Sequence, residues 1–83
     1  MKTTRYFEEQ VLRKRPYLRI EWIAAALANP LVREEQTNGR VRFWGRVRLE
    51  NDDKSYTLRV VTLEDGETVH NAFFDRNYRE VTP

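Results

Sequence analysis

Residues 40–49 alternate strictly between two kinds of side chain. Val41, Phe43, Val47 and Leu49 fall on one side, with Gly45 in the gap, and Arg40, Arg42, Trp44, Arg46 and Arg48 fall on the other. A period of two with one apolar side predicts a half-buried β-strand. Residues 55–63 continue the pattern, with Tyr56, Leu58 and Val60 inward and Thr57, Arg59, Val61 and Leu63 outward. Asn51-Asp52-Asp53 is the turn between these two strands, so residues 40–63 read as one long antiparallel pair. Residues 31–36 predict a short edge strand whose Glu34 and Glu35 guard against aggregation. Asn38-Gly39 predicts a two-residue type I′ turn after it, placing Glu35 opposite Arg42, Arg33 opposite Trp44 and Val32 near Gly45. Asp65-Gly66 predicts a third turn and residues 67–74 a fourth strand, with Val69, Asn71 and Phe73 inward and His70, Ala72 and Phe74 outward.

Upstream the period changes. Residues 5–14 place Phe7 and Val11 on one helical face, with Glu8 and Glu9 near the start, Arg13, Lys14 and Arg15 near the end, and Glu9 and Arg13 as an i,i+4 pair. Pro16 closes this helix. Residues 19–28 predict a second helix with Ile20, Ile23, Ala24 and Leu27 as its buried stripe and an alanine run that permits close approach to a sheet or another helix; Leu18 anchors its start and Asn29-Pro30 stops it. Residues 1–4 read as a frayed end, and the stretch from Asp75 as a short helical turn followed by a tail. The predicted fold is α+β: one domain, 1–83, with two N-terminal helices on one face of a four-stranded antiparallel sheet.

Composition narrows the chemistry. At 83 residues the chain buries little more than about 60–65% of its extended surface. It has no cysteine and one histidine, so disulfides and thiolate chemistry are excluded and neither a metal nor another cofactor is expected. No apolar run approaches the roughly 20 residues of a membrane span and nothing resembles a signal peptide, so no membrane partner is expected and the cytoplasm is the default location. The net charge of +2 hides an asymmetry: residues 1–48 hold eleven Lys/Arg against five Asp/Glu, and residues 49–83 hold four against eight. Such a basic half can steer a polyanion or an acidic protein, or be a solvated surface.

The outward face of the sheet carries the candidate chemistry. The simplest register sets Arg46 opposite Arg59, Trp44 opposite Val61, and Arg59 opposite Ala72, which makes Arg59 and His70 diagonal neighbours. Trp44, Arg42, Arg46, Arg59 and His70 then share one patch. Opposed arginines call for an anion, or for carboxylates such as Asp75 and Glu35. For RNA, guanidinium forks match phosphates and an indole stacks on a base. Metal-free cleavage would use His70 for proton transfer and Arg59 with Arg46 as a phosphate clamp, with Arg76 and Tyr78 beside it; Arg40, Arg42, Trp44 and Arg48 would hold the strand. The competing reading is a surface without catalysis: Trp44 covered by a helix, a second copy or another protein, and His70 without catalytic duty. Gly-rich phosphate loops, paired catalytic carboxylates and a nucleophile elbow are all missing from the sequence.

Residues 6–76 carry a resemblance. Ala28-Asn29-Pro30, Gly39-Arg40-Val41-Arg42-Phe43-Trp44, Leu58-Arg59-Val60-Val61 and Phe74-Asp75-Arg76 resemble the DUF4258 group of small bacterial proteins, which are similar to the RelE/ParE-like toxins and to the ribonuclease toxin BrnT. The resemblance implies a RelE-like fold, metal-free ribonuclease or translation-inhibiting activity on RNA or the ribosome, and an antitoxin partner. Arg42, Arg59, Arg76 and Tyr78 would be counterparts of the basic and aromatic residues such toxins use. The first helix reads Tyr6-Phe7-Glu8-Glu9-Gln10 with Arg13, without the histidine often found there. Against the toxin stands a binding module for nucleic acid or protein, or a homodimer closed by its own charges.

Overall fold

Helices and strands follow one another in the predicted order. The computed structural model describes residues 1–49 and 54–78. A π-helical turn, Phe7–Val11, runs into α1, Leu12–Lys14; α2 spans Ile20–Ala28. The strands β1 (Val32–Glu35), β2 (Val41–Arg48), β3 (Ser55–Thr62) and β4 (Val69–Phe74) form one antiparallel sheet in the order β1-β2-β3-β4. This is an α+β fold with two N-terminal helices packed against a four-stranded antiparallel sheet. The predicted turn at Asn51-Asp52-Asp53 and everything beyond Tyr78 lie outside the described residues. No described helix is long and apolar enough to cross a membrane.

The alternation of β2 sets the core. Val41, Phe43 and Val47 are buried under the helices and join Leu58 and Val60 of β3, Val69 and Ala72 of β4, Phe7 and Val11 of the first helical run, Leu18, and Ile23 and Ala26 of α2. Phe7, Ile23 and Leu58 are fully buried, each contributing about 1.5–3 kcal/mol by removal from water. Gly45 lets α2 come close, because a Cβ there would lie 2.6 Å from the Ala26 Cβ. The buried stripe of α2 is Ile23 and Ala26, flanked by half-buried Trp22 and Leu27, while Ile20 and Ala24, expected inside, are exposed. The small pair Gly45/Ala26 fixes which side of α2 faces the sheet. In the first helical run the i,i+4 ion pair is Arg5–Glu9 at 3.0 Å, one turn earlier than the predicted Glu9–Arg13.

Three features depart from the sequence pattern. The loop after β1 holds three residues, 37–39, not two: Gln36 and Arg40 close it, Gly39 N–H reaches Gln36 O at 3.0 Å, and Gly39 takes φ +86°. One extra residue exchanges the faces of β1, so Glu34, not Glu35, pairs with Arg42, and Val32, not Arg33, pairs with Trp44. Between β3 and β4 the turn keeps its expected start, Thr62 opposite Val69, but a bulge then shifts the register by one. Beyond it Asn71 and Phe73 share a face with Val61 and Arg59, while Ala72 and Phe74 turn inward, the reverse of the expected arrangement. Finally, residues 2–4 are not frayed. They lie along β4 through a parallel bridge from Thr3 to Val69, with Thr4 N–H on Val69 O and Val69 N–H on Lys2 O, both 2.9 Å. These bonds use backbone alone, so they leave no side-chain pattern to read.

Candidate nucleic-acid interface

The helices leave one face of the sheet open, where Arg40, at the entry to β2, is followed by Arg42, Trp44, Arg46 and Arg48 of the strand. Arg46 and Arg48 are exposed and Arg40 and Arg42 half-exposed. Their spacing follows from strand geometry: alternate residues sit about 6.5–7 Å apart. Arg42 meets Glu34 of β1 at 3.7 Å, a loose pair with both ends wet and therefore worth little. Arg46 faces Thr57 rather than Arg59, and Trp44 faces Arg59; this register is two residues from the simplest one. It avoids two opposed guanidinium groups and puts an indole against a cation instead.

One cross-strand row dominates this face: Val32, Trp44, Arg59 and Phe73. The Arg59 guanidinium carbon lies 5.5 Å from the Trp44 ring centre and 5.1 Å from that of Phe73. Arg15, at the end of the first helical run, reaches the same Phe73 at 5.8 Å. The chain after β4 then folds over the row. Asp75 Oδ2 accepts the Trp44 indole N–H at 3.0 Å and lies 3.7 Å from Arg59 Nη1, and the Tyr78 ring sits 6.0 Å from Trp44. Trp44 is consequently only 8% exposed, covered by this turn of its own chain. Asp75 Oδ1 accepts the Asn77 N–H at 3.0 Å, which makes Asp75–Tyr78 a turn where a helical turn was expected. Burial raises the Asp75 carboxyl, but the Trp44 N–H, the Asn77 and Tyr78 amides and Arg59 together outweigh it and hold its pKa below the usual value.

His70 belongs to a different group. The bulge carries it past the expected position opposite Val61, and Arg59 takes Phe73 as its β4 partner in place of Ala72. His70 and Phe73 are three residues apart, roughly 10 Å along a strand, so the predicted Arg59–His70 neighbourhood does not form. The imidazole stacks on Tyr6 at 4.8 Å, and its Nδ1 lies 3.0 Å from Thr4 Oγ1. Thr4 Oγ1 already accepts the Phe7 N–H at 3.1 Å, a capping contact at the start of the helical run. The hydroxyl still has a hydrogen and a second lone pair to offer, so the imidazole tautomer sets which partner donates in the Thr4–His70 bond. Burial and, after it, the charge of Arg40 lower the His70 pKa from 6.5.

The remaining candidates are scattered. Arg76 is exposed, and with Tyr78 it lines a groove of about 520 Å³ at the start of β3, together with Tyr56, Thr57, Phe74 and Asp75. Among the described residues no three His, Cys, Asp or Glu side chains are grouped to hold a metal ion. Sequence reasoning missed Phe73, read as inward, and Arg15, read only as part of a basic run. The structure therefore joins Trp44, Arg59, Asp75 and Tyr78 in one cluster, lines the other β2 arginines up beside it, and keeps His70 apart. Comparison with protein-family models, with curated proteins and with solved structures finds no match for this chain.

Proposed function

We propose that the chain is a non-catalytic binding module that receives single-stranded nucleic acid along the arginine column of β2. One observation carries this reading: Arg40 just before β2, and Arg42, Arg46 and Arg48 within it, fall on either side of Trp44 along the face that the helices leave open. An extended strand with cations on both sides of Trp44 runs parallel to an extended polyanion, and guanidinium forks suit its phosphate oxygens. Both edges of β2 are paired, to β1 and to β3, so the column is rigid and little order has to be imposed on binding. The RelE-like kinship implied by the resemblance is part of the proposal, as a basic sheet face that meets RNA. Its ribonuclease chemistry is less well supported, because the one imidazole is engaged by Thr4 and Tyr6 and stands well away from Arg59.

Fluorescence anisotropy with a short fluorescein-labelled oligouridylate tests the reading. Contacts to about four phosphates predict a log–log salt slope near −3, from about −0.7 per contact on single strands. Arg42→Gln, Arg46→Gln and Arg48→Gln should each weaken binding and flatten that slope by about 0.7, and the labelled RNA should stay intact. Binding that ignores salt, or no binding at low salt, refutes the module. Cleavage that disappears in His70→Ala would return the protein to the ribonucleases.

A further inference from the structure

Arg59 is poorly satisfied where it sits. Its side chain is only 21% exposed, yet among the described residues its Nε is buried without a hydrogen-bond partner and the carboxylate oxygen paired with it is 3.7 Å away. That oxygen, Asp75 Oδ2, is already taken by the Trp44 indole at 3.0 Å, and the other oxygen by the Asn77 amide. A guanidinium carries five N–H donors in a fork built for two oxygens at once. Here it is held between two aromatic rings, aimed by Trp44 and Phe73, and offered one shared oxygen at the limit of an ion pair. Beside it the Tyr78 ring rests on Trp44 at 6.0 Å with a tilt of 30°, a loose contact in the place where a nucleobase would stack.

Building on the nucleic-acid reading above, we infer that Arg59 and Trp44 are a nucleotide subsite, Arg59 for a phosphate and Trp44 for its base, and that the Asp75–Tyr78 turn occupies it as an internal stand-in. The Asp75 carboxylate holds the anion position and the Tyr78 ring the base position. A phosphate on Arg59 supplies the second oxygen that Asp75 withholds, and the turn swings out as the strand enters from the neighbouring arginine column. Ligand and turn therefore compete, and the turn sets the affinity of the whole face.

The test is the anisotropy titration with the same oligouridylate, using Asp75→Asn. Asparagine keeps one acceptor oxygen, enough for either the Trp44 indole or the Asn77 amide but not for both, and removes the charge that rivals phosphate. The expected result is binding about three- to fivefold tighter, the size of a partly exposed ion pair converted to affinity. The gain should vanish when Arg59→Lys is added, since an ammonium lacks the fork. If thermal denaturation shows Asp75→Asn to be unfolded, Tyr78→Ala decides: tighter binding supports the stand-in, and equal or weaker binding overturns it. If Asp75→Asn binds no better than the native chain while Arg42→Gln and Arg48→Gln still weaken binding, the stand-in is wrong and the basic face survives. If neither the native chain nor Asp75→Asn binds, both readings fall.

Discussion

Gly45→Ala should destabilise the fold, because α2 leaves no room for the added methyl group. The new Cβ would lie 2.6 Å from the Ala26 Cβ and 2.9 Å from the Ala26 Cα, and the second of these is helix backbone that cannot rotate away. Carbon atoms rest about 3.5–4.0 Å apart, so α2 must retreat by about 1 Å. That movement loosens Ile23 and Ala26, which are 0% and 2% exposed. Overpacking of this kind costs about 1–3 kcal/mol, and loss of glycine's freedom in the unfolded chain returns about 0.4–1 kcal/mol. The net is about 1–2 kcal/mol, out of about 4–12 kcal/mol for a chain of this size. At about 4–8 °C per kcal/mol, thermal denaturation followed by far-ultraviolet circular dichroism should show a fall of roughly 5–15 °C. Adding Ala26→Gly removes the obstructing methyl, so the double variant should be more stable than the two single losses predict, by about 1 kcal/mol. A Gly45→Ala chain melting within about 2 °C of the native one would refute the close approach of α2 to β2.

Two further outcomes concern pH. His70 has its folded pKa held below 6.5, so between that value and 6.5 the unfolded chain binds more protons; its stabilising effect is complete above pH 6.5 and is lost as pH falls below it. Urea denaturation at about pH 7.5 and about pH 5.5 should show this loss, and His70→Asn should flatten it; an unchanged difference would show that another group titrates there. Asp65 accepts the Glu67 and Thr68 amides and the Thr68 hydroxyl, and its pKa is lowered from 3.8 to about 2. Its contribution, full above pH 3.8, fades as pH falls toward 2, so Asp65→Asn should shrink the acid-induced loss of stability in that window, leaving the part due to Asp75. An acid limb identical to that of the native chain would remove Asp65 from the account.

The inner faces of β2 and β3 were legible because a period of two with one apolar side has few alternative readings. So was the side of the sheet on which the helices sit, since Gly45 opposite an alanine run invites close packing. The register was harder. Asn38-Gly39 serves both two- and three-residue loops, because Gly39 takes a positive φ in either, and the choice between them exchanges the faces of β1. The bulge in β4 left no such signal: Ala72, Phe73 and Phe74 are consecutive apolar residues, and only in the fold are Val69 and Ala72 both buried, three apart, a spacing that a regular strand cannot place on one face. A strand without the bulge would turn Phe73 inward and set His70 beside Arg59. Asp75 was visible as an available carboxylate, but its geometry depends on a turn that follows the last strand and has no periodicity of its own.

Trp44 also gives the molecule a gauge of its own folding. Its neighbours come from β1, β3 and the turn after β4, and Asp75 stands 31 positions away along the chain. Trp22, the other indole of the sequence, lies against Phe74 on the opposite side of the same sheet, 5.8 Å between ring centres. With one indole replaced by phenylalanine at a time, fluorescence emission can follow each side separately. Whether the helical layer and the open layer assemble in one step or in succession then becomes a matter of comparing two colours of light.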